Sequence, residues 1–192
     1  MENLTAKFDH LFNVIARKGF LEKESLGGEI PFFISTYDPL QEIEVYDSIK
    51  MLIKKLDNSG IPVLEINLYD LVCEILDEKG GMERMFRVEK ARSKDKFLRA
   101  LQSSLNIQQV LMPAIKERLE ESGAKVYFLT GIGLVFPFIR SHNILNNLQN
   151  IAKDSPTLAF FPGEYDGHSL KLFGLLKDDN YYRAFNIENI EV

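Results

Sequence analysis

One cysteine in 192 residues, Cys73, excludes an internal disulfide, and three histidines scattered at His10, His142 and His168 cannot assemble a Cys/His zinc cluster. No apolar run approaches the ~18 residues a membrane span needs. The opening MENLTAKFDH lacks the basic start and apolar stretch of a signal peptide, so a cytoplasmic protein without membrane contact is expected. Glycine and proline, at 12 and 7, are too few for a disordered or collagen-like chain. What is present, 45% hydrophobic and 27% charged residues, is ordinary globular composition in a chain long enough to bury a core. One compact domain, residues 1–192, is the expectation.

The net charge of −5 argues against nucleic-acid binding by the surface as a whole. The average conceals a polarity. Residues 1–78 carry 7 basic and 15 acidic side chains, residues 79–99 carry 8 and 3, and residues 100–192 carry 8 and 10. The basic segment, KGGMERMFRVEKARSKDKFLR, places Arg84, Arg87 and Lys90 at helical spacing. It reads either as a solvated helix face or as a docking patch for an acidic partner, protein or phosphate backbone. No aromatic platform is interleaved with the cations to favour the nucleic-acid version.

Apolar periodicity predicts an amphipathic helix over residues 4–16. After Gly27-Gly28 come the strand IPFFIS (30–35) and a helix opening at Pro39 and running to about residue 57, with Leu40 and Ile43 on its apolar face. A second strand, PVLEINL (62–68), leads into the helix YDLVCEILDE, with Cys73 on its core side. Residues 79–123 read as an inserted helical hairpin, broken at Ser93 and kinked at Pro113. The third strand, KVYFLT (125–130), is followed by Gly131-Ile132-Gly133 and a helical segment to residue 150 that contains Arg140 and His142. The fourth, TLAFF (157–161), leads through GEYDGHS to a short helix LKLFGLL (170–176), and Asp178-Asp179-Asn180 turns into a last strand YYRAFNI (181–187). Continuous apolar strands alternating with helices predict an α/β fold, a mostly parallel five-stranded sheet with helices on both faces. Chain order resembles a degenerate P-loop NTPase core, an analogy of fold alone. In such sheets function collects at the loops leaving the carboxyl ends of the strands.

Those loops hold no complete catalytic set. None carries GxxxxGK[ST], and Asp38 in STYDPLQ repels phosphate. In Gly131-Ile132-Gly133 the third glycine of a dinucleotide fingerprint is replaced by Phe136. Gly167-His168-Ser169 approaches a nucleophile elbow, but Lys171 stands where the final glycine belongs, and Asp166, His168 and Ser169 lie too near in sequence for a relay. Ser169 reads as a helix cap and Asp166-Gly167 as a turn. Arg140 and His142, two apart, point to different helix faces; Arg140 suits an anion or partner carboxylate, and His142 reads as an interior or boundary residue. Tyr181-Tyr182-Arg183 has the composition of an interface hot spot, with Phe185 as core. The candidate binding residues are Asp38, Gly131, Gly133, Arg140 and His142, together with Gly163, Tyr165, Asp166, Gly167, Ser169, Tyr182 and Arg183. No metal site and no cofactor is expected.

The segments PFFISTYDP, INLYDL, GLVFPFIRSHNILNNL, FFPGEYDGHSLKLFGLL and DDNYYRAF together resemble the BrxB family of bacteriophage-exclusion (BREX) defence systems, over nearly the whole chain. PGEYDG-SLKLF and NYYRAF are the most specific. The resemblance implies a small cytosolic protein acting beside a DNA methyltransferase, a PglZ-like protein of alkaline-phosphatase type and a large ATPase. On that footing the expected function is a nonenzymatic assembly subunit bridging the PglZ-like and methyltransferase components. The alternative is a degenerate nucleotide- or phosphate-binding regulatory domain without hydrolysis.

Overall fold

A computed structural model describes residues 3–24, 31–178 and 180–192. The Gly27-Gly28 turn and Asp179 of the expected last turn lie outside them. Two helices, α1 (Leu4–Ile15) and α2 (Lys18–Leu21), precede β1 (Phe32–Tyr37). A 3-10 turn, Pro39–Gln41, leads into α3 (Glu42–Asn58); β2 (Val63–Asn67) and α4 (Leu68–Glu78) follow. Next come α5 (Met82–Ala91), α6 (Lys94–Ser104), a π-helical turn at Ile107–Leu111 and α7 (Met112–Ser122). The chain ends with β3 (Val126–Thr130), α8 (Ser141–Ile151), β4 (Thr157–Tyr165), β5 (Leu170–Leu172), β6 (Leu176–Lys177) and β7 (Phe185–Asn186).

Among the described residues the sheet has seven strands, not five. Five of them run parallel in the order β2-β3-β4-β1-β7 and correspond to the five expected, while β5 and β6 add an antiparallel meander to the end of β4. Alternation along the strands sends Phe32, Ile34, Tyr127, Leu129, Ala159 and Phe161 into one core and Phe33, Phe128, Leu158 and Phe160 into the other. The first core is covered by α4, α7 and α8 and the second by α1 and α3. Both faces are buried, which is why the strands read as unbroken apolar runs.

Several expected elements fold otherwise. LKLFGLL is no helix. Leu170 and Leu172 point inward, Lys171 lies between them, and Phe173 and Gly174 take positive φ in the turn to β6. The last strand shrinks to Phe185–Asn186, because the Tyr182 N–H bonds to the His168 carbonyl and draws the chain away from β1. The helix after β3 starts only at Ser141, and Arg140 is its extended N-cap residue rather than part of it. Residues 79–123 form three helices, with the expected break at Ser93 between α5 and α6; Pro113 stands at the start of α7, directly after the π-helical turn Ile107–Leu111. Leu40 and Ile43, expected on the apolar face, are 91% and 76% exposed. Leu40 lies in the 3-10 turn before α3, and Ile43, two residues before Val45 on α3, points away from the stripe that Val45, Ile49, Leu52 and Leu56 bury. Cys73, expected in the core, is only partly covered.

Candidate functional site

The carboxyl end of the parallel strands is closed by the chain's own packing. At β1, the Asp38 carboxylate accepts the Leu40 N–H at 2.9 Å and caps the 3-10 turn. At β2, the Asn67 side chain caps α4 by accepting the N–H groups of Tyr69 and Asp70. Gly131, at the end of β3, has φ +70°, and a Cβ there would stand 2.5 Å from Asn67 Oδ1. Gly133 would meet Phe173 and Pro162, each at 2.9 Å. Gly163 packs against the crossing strand β5, with 2.1 Å between a Cβ and the Lys171 carbonyl. These three glycines are therefore spent on close approach within the chain, with β2, β4 and the meander filling the space before them.

The 163–169 loop and the terminal segment form one hydrogen-bonded unit. Asp166 accepts the N–H groups of His168 and Ser169 at 2.8 and 2.7 Å and the Ser169 hydroxyl at 2.9 Å. This is an Asx turn, and Ser169 caps no helix, since a strand follows. The His168 ring lies against Tyr181, with centroids 5.8 Å apart. Gly167 supplies the positive φ of +90° that the turn needs. Tyr165 donates its hydroxyl toward the carbonyls of Ala184 at 2.8 Å, Gly167 at 3.1 Å and Tyr182 at 3.4 Å.

Asp178, which the sequence marked only as part of a turn, gathers the other end. It accepts the Tyr182 hydroxyl and the Asn180 side-chain and backbone N–H groups, and His142 Nδ1 lies 3.2 Å from its Oδ2. Burial opposes its charge, but the hydrogen bonds from Tyr182 and Asn180 outweigh burial and hold its carboxyl below the ordinary range. Burial and the Asp178 bond push the Tyr182 phenol far up. Tyr182 is 1% exposed, whereas Tyr181 and Phe185 on the opposite side are 63% and 40% exposed. Arg183 is exposed with them, and Phe185 is not the core residue expected, because alternation sends 181, 183 and 185 outward together.

The hydrogen bonds to Asp166, led by the Ser169 N–H, bring its carboxyl down to about 2. A depressed carboxyl stabilises the folded turn above the ordinary carboxylate range, and this contribution disappears as pH falls through the folded value. Amide-exchange protection at His168 and Ser169 is therefore expected to survive at pH 4 and to fade only toward about pH 2. Fading already at pH 4 contradicts it.

A second missed cluster is buried beneath α1. Lys7 Nζ lies 2.9 Å from Glu188 Oε1 and donates to the Thr36 carbonyl, and the Ser35 hydroxyl donates to the same Glu188 oxygen at 2.6 Å. The signal was in the helix register: Lys7 is three after Leu4 and four before Leu11, on the apolar stripe. The basic patch lies elsewhere. Arg84, Arg87 and Lys90 are exposed on α5, and Arg84 donates to the Lys79 carbonyl at 2.9 Å. Arg140 stands over the Phe136 ring, with its guanidinium carbon 5.3 Å from the centroid. Among the described residues no cluster of His, Cys, Asp and Glu could hold a metal ion, and no helix is long and apolar enough to cross a membrane.

Fold and site define a parallel α/β protein whose strand-end loops are knit into a self-packed cap joined to the C-terminal segment. The chain belongs to the BrxB family of BREX proteins. It matches the family model described as BREX protein BrxB over residues 64–187. A BREX protein BrxB of Bacillus cereus (strain H3081.97) is 39% identical over 191 residues, covering 97% of this chain and 98% of the relative. Its namesake in Escherichia coli O9:H4 (strain HS) is 29% identical over 168 residues, 88% of this chain and 83% of that protein. No solved structure matches, so the expected likeness to P-loop NTPase cores gains no support.

Proposed function

We propose that the chain is a nonenzymatic assembly subunit of its BREX system, bridging the PglZ-like protein and the DNA methyltransferase. The observation that carries this is the apolar exposure on the loops of three neighbouring strands. Leu40 and Ile43 follow β1, Leu134 follows β3, and Leu175 tips the turn beyond β4; they are 91%, 76%, 50% and 80% exposed. Apolar groups held outward by a rigid support are the usual mark of a protein contact. The packing of Asn67, Phe173 and Pro162 against Gly131 and Gly133 favours this reading over phosphate binding at the same loops.

The test is copurification of a tagged chain with the two neighbouring components. The Leu40→Asp/Ile43→Asp double variant is expected to keep its melting temperature, since both side chains are already in water, and to recover at least tenfold less partner. A wild-type chain that brings down neither component overturns the assembly role. Full recovery by a folded double variant removes the β1 loop from the contact.

A further inference from the structure

We infer that the groove between the α6 helix and the loop after β3 is a binding site for single-stranded nucleic acid. The inference stands apart from the assembly role. It begins with an imbalance of charge. Elsewhere on the described surface several cations pair with carboxylates, as in Lys18 with Glu22, Lys55 with Asp9, Lys116 with Glu120 and Arg118 with Glu74, and others lie on backbone carbonyls or rings, as do Lys125 and Lys50. In the 79–99 segment, with eight cations against three acids, no described cation lies within 4.0 Å of a carboxylate oxygen. Lys79 and Arg84 are used on backbone carbonyls of Ser104 and Lys79. Arg87, Lys90, Arg92, Lys94, Lys96 and Arg99 make no described polar contact at all. A fold gains little from keeping six like charges unpaired on 21 residues, whereas a polyanion gains from each.

Aromatic surface, not expected among these cations, comes from Phe97 within the segment and from Phe138 in the loop after β3. Two open cavities, of about 380 and 350 Å³, share Phe138. The first is rimmed by Arg92 and Lys94 and floored by Phe97 and Phe138. The second carries Arg140 with the side-chain amides Gln102, Asn106 and Asn147. Read along its length, the groove offers cations for phosphates, a ring face for a base to stack on, and amide groups for base edges. Glu89 and Asp95 share the first rim, and the segment still carries a net charge of +5. The aromatic floor beside a row of unpaired cations favours a polyanion that carries stackable rings over an acidic protein, which would engage the cations alone. Stacking on Phe97 or Phe138 needs an unpaired base, which a single strand offers and a duplex does not.

Fluorescence anisotropy on the full chain tests this with a labelled 20-nucleotide oligothymidine, the corresponding duplex and a polyglutamate peptide. The oligothymidine is expected to bind at 50 mM salt and to weaken roughly twentyfold at 200 mM, the slope for about three neutralised phosphates on a single strand. An Arg92→Glu/Lys94→Glu/Arg140→Glu variant, all three positions exposed, is expected to keep its melting temperature, lose at least tenfold in affinity and lose most of the salt slope. Phe138→Leu, which keeps the groove's apolar floor, is expected to weaken the single strand alone. Absence of binding at 50 mM salt overturns the proposal. So does equal or tighter binding of the duplex or the polyglutamate, or a folded triple variant that binds as well as the wild type.

Discussion

Replacing Tyr182 with alanine is expected to lower stability by about 3–5 kcal/mol, the range for removing a fully buried aromatic side chain. For a chain of this length that is roughly a 10 °C fall in melting temperature. The ring is 1% exposed within the main core, and its hydroxyl is bonded to Asp178. Tyr182→Phe keeps the ring and gives up only the bond to a charged acceptor, so its loss should be nearer 2 kcal/mol. Arg183→Ala, one residue on and exposed, should change stability by less than about 0.5 kcal/mol. Thermal denaturation of the three variants checks the order. A Tyr182→Ala chain that melts with the wild type would make the terminal motif a surface strip rather than the clamp on α8 and the 163–169 loop.

Lys7→Ala should cost a comparable amount, roughly 3–5 kcal/mol, for a different reason. Removing the cation leaves the Glu188 carboxylate beside the Ser35 hydroxyl without the charge that offset its burial. The Lys7 side chain is 5% exposed and that of Glu188 25%, so water replaces only part of the lost interaction. The double variant Lys7→Met/Glu188→Met removes both charges and should recover most of the loss, because an apolar pair of similar volume avoids the desolvation cost. Urea denaturation gives both numbers. A single-variant loss below about 1 kcal/mol would place this pair with the exposed ones, such as Lys55 with Asp9, whose two partners are half in water or more.

Both clusters show where the reading of the chain stopped. Lys7 broke an otherwise apolar stripe and could have been noticed, since a lysine in register with Leu4 and Leu11 must either snorkel or find a partner. Its partner, 181 residues away in sequence, could not have been named. Asp178 looked like turn chemistry, and its turn bond to the Asn180 N–H at 3.1 Å is real. That it also receives Tyr182 and faces His142 follows from the docking of α8 beside it. For the groove, the eight cations of 79–99 were plain in the sequence, but the aromatic Phe138 enters only through the loop after β3.

Composition and periodicity were sufficient for the α/β class and the five parallel strands, and the family was legible only through the resemblance of particular segments such as FFPGEYDGHSLKLFGLL and DDNYYRAF. A strand buried on both faces must be apolar throughout, a helix lying on it must be apolar on one side, and both patterns are local properties of the chain. Segments that satisfy two periods at once were decided by tertiary structure. LKLFGLL, with leucines at 170, 172, 175 and 176, fits a helix or a meander, and pairing of Leu170–Leu172 with the end of β4 selects the meander. Likewise YYRAFNI has the composition of a full strand, yet its backbone is claimed by His168 and Tyr165 before it reaches β1. Local propensity offers such a segment two states of similar free energy, and the long-range hydrogen bonds and buried contacts available to only one of them make the choice.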